Sequence, residues 1–69
     1  ADFSTSANLN AVFDDLESQL FLNGWQRTQL DFKNNGSEVE ANYTRNGQQL
    51  ELELEKKDNS GNYELELDF

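Results

Sequence analysis

Two Asn-Gly dipeptides, Asn35-Gly36 and Asn46-Gly47, divide the chain into runs in which apolar and polar residues alternate. A two-residue hairpin of the I′ type needs positive φ at both central positions, and Asn-Gly supplies it at least cost. If both dipeptides are such loops, Phe32 stands opposite Val39 and Leu30 opposite Ala41. Beyond the second loop, Tyr43 faces Leu50, Ala41 faces Leu52 and Val39 faces Leu54. A slip of one residue at either turn would set leucine against glutamate, so turn chemistry and alternation agree on a single register. A third turn at Asp58-Asn59-Ser60-Gly61 is less determined and allows Leu54 to pair with Tyr63 or with Leu65.

The first third of the chain has another period. Leu9, Val12, Phe13, Leu16 and Leu20 recur at steps of three and four, which gathers them on one stripe of a helix. Asn8, Asp14, Asp15, Ser18 and Gln19 fill the other face. Ser4 to Ser6 supply candidate N-caps, and Asn23-Gly24 stops the helix with residue types that tolerate a left-handed cap. The predicted fold is α+β: one helix over about 6–22 packed across a four-stranded antiparallel meander with strands over about 26–33, 38–45, 48–56 and 62–69. Sixty-nine residues suit a single domain, with no internal repeat, linker or second unit. A core this small rarely supplies more than about 3–5 kcal/mol of stability.

Cysteine and histidine are both absent, which removes disulfides, Cys/His zinc sites and histidine acid/base chemistry. No apolar run reaches the roughly 20 residues of a membrane helix, and no signal-like segment opens the sequence. The expected setting is the cytoplasm. Fourteen acidic residues against five basic ones give a formal charge of −9, which argues against nucleic acid or an anionic membrane as a ligand.

The registers also decide where these acids go. Asp31, Glu38, Glu40, Glu51, Glu53, Glu55, Glu64, Glu66 and Asp68 fall on the sheet face away from the helix. Lys33 can pair with Glu38, and Arg27 and Lys57 lie toward the edges. Elsewhere acids oppose acids: Asp31 with Glu40, Glu40 with Glu53, Glu38 with Glu55. Like charges directly opposite destabilise a sheet, and lysine at half of these positions would remove the penalty while keeping the face soluble. One account is a solvated face that protects the sheet from aggregation. The other is recognition. Strand spacings of about 6.8 Å per residue pair and about 4.8 Å between neighbours give roughly one charge per 2 Å of face, near the one per ~1.7 Å of duplex DNA. Such a face suits a basic protein surface, in the manner of nuclease inhibitors, immunity proteins, antitoxins and DNA mimics.

Other features weigh less. Trp25 either projects at the rim of the acidic face, if the strand is regular, or packs back on Leu20 to close the helix cap. The segment 58–64 offers oxygen ligands at alternating positions, but counted from Asp58 its glycine is fourth rather than sixth, and Phe69 occupies the twelfth place where a calcium loop needs glutamate. No metal or cofactor is expected. Asn42-Tyr43-Thr44 matches a glycosylation pattern inside a strand. The paired carboxylates stand on an open sheet without a pocket, so no enzyme is expected. The expected protein is a non-enzymatic binding module, a monomer or weak homodimer. The alternative is an assembly domain that self-associates through its apolar last strand.

Overall fold

A computed structural model describes residues 2–58 and 61–69; the third turn therefore lies partly outside the described residues, at Asn59 and Ser60. In chain order the elements are β1 (Asp2–Ser4), α1 (Leu9–Leu22), β2 (Gln26–Lys33), β3 (Glu38–Arg45), β4 (Gln48–Lys56) and β5 (Asn62–Asp68). The sheet is antiparallel throughout, with strand order β1-β5-β4-β3-β2. Asn46 (φ 49°) with Gly47 (φ 81°) takes the left-handed conformations of a type I′ turn. At the first turn Asn34 (φ 54°) is left-handed as well as Asn35 (φ 59°, ψ 32°) and Gly36 (φ 87°), so the strands close at Lys33–Glu38 around a four-residue loop in place of the expected two-residue one, with the register unchanged. The expected pairs follow: Phe32 with Val39, Leu30 with Ala41, Tyr43 with Leu50, Ala41 with Leu52 and Val39 with Leu54. The last hairpin sets Leu54 opposite Leu65, which decides between its two possible registers.

The sheet has five strands where the sequence reading expected four. Asp2, Phe3 and Ser4 pair with Glu64, Tyr63 and Asn62 on the outer side of β5. Phe3 stacks on Tyr63 with ring centroids 5.5 Å apart. The Thr5 N–H donates to the Gly61 carbonyl at 2.8 Å, and a Cβ on Gly61, whose φ is +87°, would collide with the Thr5 carbonyl oxygen. Three residues are too few to display alternation, which is why this strand escapes a reading by period.

Its presence also moves the helix start. Ser4 belongs to β1 and residues 5–7 to the connection, so the cap passes from the expected Ser4–Ser6 to Asn8. Asn8 is extended (φ −78°, ψ 169°), and its side-chain oxygen accepts from the Ala11 N–H at 2.9 Å. At the other end the Trp25 N–H donates to the Leu20 carbonyl at 3.0 Å and the Gly24 N–H to the Phe21 carbonyl at 3.0 Å, the closure expected of a glycine-terminated helix.

One core cluster joins Leu9, Val12 and Phe13 of α1 to Trp25 and to Val39, Ala41, Tyr43, Leu50, Leu52, Leu54 and Tyr63 of the sheet. Two of these are tyrosines buried to the hydroxyl. Tyr63 donates to the Ala7 carbonyl at 2.7 Å, and Tyr43 donates to the Glu17 carboxylate at 2.8 Å. Burying a hydroxyl without a partner is costly, so each bond is a condition of the packing.

Glu17 shows how the core side is organised. It continues the Leu9–Phe13 step of four, so the helix delivers it to the buried stripe. An Arg27 guanidinium nitrogen donates to its two oxygens at 2.9 and 3.1 Å. Arg27 reaches it because the β2–β3 register shifts between Arg27 and Gln29, a bulge at Thr28. The bulge reverses side-chain parity, so Arg27 stands opposite Tyr43 on the core side instead of toward the edge of the acidic face. The same reversal takes Trp25 into the core, where it is 6% exposed and not at the rim of the acidic face. Burial first, then the bond to Glu17, raises the Tyr43 phenol well above its ordinary pKa, so it stays a donor.

Glu17→Ala leaves the Arg27 charge and the Tyr43 hydroxyl without their partner. It is expected to destabilise the fold by about 2–3 kcal/mol, the low end for a broken buried pair because the Arg27 side chain is 37% exposed. Urea denaturation measures this, and a change within about 0.5 kcal/mol would show that the network contributes nothing net.

Candidate functional site

Because opposed residues in an antiparallel pair share a face, the registers assemble the acids in rows. In the first, Glu38, Glu55, Glu64 and Asp2 succeed one another across β3, β4, β5 and β1. In the second, Asp31, Glu40, Glu53 and Glu66 cross from β2 to β5, and in the third Glu51 and Asp68 continue from Gln29 and Asn42. All nine carboxylates expected on this face are brought together on it. Asp2 is a tenth, which could not be placed without β1.

The five basic residues are sorted the other way. Arg27 is bound to Glu17 on the core side. Arg45 lies over the Trp25 ring, 4.4 Å from its centroid, and donates to the Asn23 carbonyl at 2.9 Å, where it also meets the negative end of the helix dipole. Lys56 occupies the register position opposite Tyr63, in step with the core residues of β4. Among the described residues, Lys33 and Lys57 are the cations in ion pairs with the acidic rows. The Lys33 ammonium sits 2.6 Å from Glu40, a diagonal neighbour, rather than on Glu38, its expected partner; Glu38 instead accepts from the Asn34 side chain at 2.7 Å. Lys57 spans Glu55 at 3.1 Å and Glu64 at 3.3 Å.

Proton affinities record the crowding at the centre of the grid. Hydrogen bonding and charge from Glu40 raise the Lys33 pKa, and Glu55 and Glu64 do the same for Lys57. Lys33 in turn holds Glu40 below the ordinary carboxylate value. Glu53, which forms no ion pair with a cation among the described residues, moves upward, first through desolvation and then through Glu40, Glu66 and Glu51. Oxygens of Glu38, Glu40 and Glu53 come within 4.8 Å of one another, a spacing at which one positive group can touch all three.

Compared with protein-family models, curated proteins and solved structures, the chain matches none. The geometry therefore carries the functional reading by itself.

The two central carboxylates give opposite pH dependences. Glu53 has a raised folded pKa, so its contribution is fully present below its unfolded value and is lost as pH rises through the folded one. Glu40, with a lowered folded pKa, contributes above its unfolded value and loses that contribution as pH falls. Glu53→Gln should therefore flatten the decline of melting temperature on the alkaline side of the carboxylate range at low salt, while the acid limb, which belongs partly to Glu40, persists. An unchanged alkaline decline in thermal melts would show that Glu53 is not its source.

Proposed function

We propose that this chain is a small, non-enzymatic, protein-binding module that lays its acidic sheet face over a basic surface of a partner protein. The observation that carries the reading is the segregation of charge: ten carboxylates in adjoining rows on one face, while Arg27, Arg45 and Lys56 stand on the other side of the sheet. A face meant only for solubility gains from mixed charge, which lowers repulsion at equal hydration. Single-sign crowding, with Glu53 among Glu40, Glu51 and Glu66 at its centre, is relieved when a partner's cations arrive. Charge of this kind accelerates association and selects the partner, and shape supplies much of the affinity.

The binding residues on this reading are Asp31, Glu38, Glu40, Glu51, Glu53, Glu55, Glu64, Glu66 and Asp68, joined by Asp2. The partner is a basic protein; nucleic acid is repelled by the same field, and no metal or cofactor takes part. Nuclease inhibitors, immunity proteins, antitoxins and DNA mimics act by this electrostatic logic, and the proposed setting is the cytoplasm. No helix among the described residues is long and apolar enough to cross a membrane. A second reading, self-association through the apolar end of β5 with the acids serving solubility, is supported by the exposure of Leu67 and Phe69. Glu64, Glu66 and Asp68 on the same strand oppose it.

The test is capture from a lysate of the source organism by the native chain and by the Glu40→Gln, Glu53→Gln, Glu66→Gln variant, each at low and high salt. A basic protein held by the native chain at low salt, and released by salt or by the three substitutions, is the expected result. Equal retention by both chains would move the binding site off the acidic face.

A further inference from the structure

We infer that β2 is the edge at which two copies of this chain join, antiparallel about a two-fold axis near Asp31. No described strand lies on the outer side of β2, and all eight of its residues are exposed. Leu30 and Phe32 point to the core side yet stay 38% and 48% exposed. The segment free to pair is bounded by the bulge at Thr28 and by the turn that begins at Asn34, which leaves residues 29–33 in unbroken register with β3. The Ser37 N–H closes that turn on the Asn34 carbonyl. The Lys56 N–H donates to the Ser37 carbonyl, so the odd-numbered residues of β3 turn their backbone groups toward β4, and Glu38, Glu40 and Asn42 turn theirs toward β2. Their partners Lys33, Asp31 and Gln29 are thereby bonded to β3, while Leu30 and Phe32 turn their backbone groups outward. A second copy of the same five residues satisfies that edge in a register centred on Asp31, with Leu30 opposite Phe32 of the other copy at both ends.

Charge selects this edge and a second copy as its occupant. On the acidic side β2 carries Gln29, Asp31 and Lys33, formally neutral, whereas β5 carries Glu64, Glu66 and Asp68. Two β5 strands brought together would set three acids against three. Two β2 strands place each Lys33 diagonally beside the other copy's Asp31 and opposite its Gln29, so the one like-charge contact, Asp31 with Asp31, is flanked by two lysines. The β5 edge is in addition already covered by β1 over Asn62–Glu64. A two-fold axis perpendicular to the sheet keeps both acidic faces on one side, and the joined sheet presents them as a single surface of doubled length. The pairing is short, so the dimer belongs with the small interfaces, below about 1,200 Å² of buried surface, that associate weakly.

The chain has no cysteine, so one introduced thiol reports on one position. Residues opposed in a non-hydrogen-bonded antiparallel pair, as the two Asp31 are across the axis, have Cα atoms about 4.5 Å apart, within the span of a disulfide. Under mild oxidation Asp31→Cys is expected to give a covalent dimer rapidly, and Leu67→Cys, on the β5 edge, only slowly. In sedimentation across a wide concentration range the native chain should show a monomer–dimer equilibrium, with Lys33→Glu raising the dimer Kd about tenfold and Leu67→Thr leaving it unchanged. Circular dichroism melts check that each variant is folded. A native chain that stays monomeric at the highest concentrations, or cross-linking no faster at position 31 than at 67, would overturn the proposal and leave Lys33 and the bulge as devices that keep the edge free.

Discussion

The register held by the turns at Asn35-Gly36 and Asn46-Gly47 governs every later property of this molecule. Each strand alternates, so fixing which residues stand opposite one another fixes both faces at once. Val39, Ala41, Leu52 and Leu54 meet on one side. The same geometry obliges Glu38 to meet Glu55 and Glu40 to meet Glu53 on the other. The core cannot form in this register without assembling the acidic face, and the left-handed conformations at Asn35 and Asn46 therefore have electrostatic consequences two strands away.

The opposite face solves the converse problem. A carboxylate is also buried there, but Glu17 receives the Arg27 guanidinium and the Tyr43 hydroxyl, so its charge has a counterpart. Arg45 does a comparable job at the helix end, covering Trp25 and binding the Asn23 carbonyl. Cations are thus committed where packing needs them, and the grid is left with a large excess of negative charge. A buried ion pair gives specificity of geometry more readily than it gives stability. Here its geometric effect is visible, because Arg27 reaches Glu17 only with the strand bulged at Thr28.

What the sequence disclosed follows from period and turn chemistry. The helix and its end at Asn23-Gly24, the strands β2 to β5 and the nine carboxylates were legible because each rests on a long repeat or a strong turn signal, whereas the helix start was read too early. The features that were not legible break a repeat. Strand β1 is too short to have one, and its pairing with β5 depends on the Phe3–Tyr63 stack and the Thr5–Gly61 bond, contacts between the two ends of the chain. The bulge at Thr28 carries no glycine to announce it, so Arg27 was read one face away from its place. Glu17 was hidden for a related reason: a glutamate at a step of four from Phe13 looks like an interruption of the apolar stripe until its partners from β2 and β3 are known. Only the exposed end of Lys33 chose differently within a correct register, reaching diagonally to Glu40.

Electrostatic surfaces of this kind are defined by what they bind, and the decisive observation is where a bound partner lies. Amide chemical-shift mapping of the isotopically labelled chain, titrated with the basic protein it captures, reads this residue by residue. Binding through the acidic face predicts the largest changes along Glu38–Glu40, Glu51–Glu55 and Glu64–Asp68, reduced by added salt. Changes confined to the helix and to Leu67 and Phe69, insensitive to salt, would contradict it.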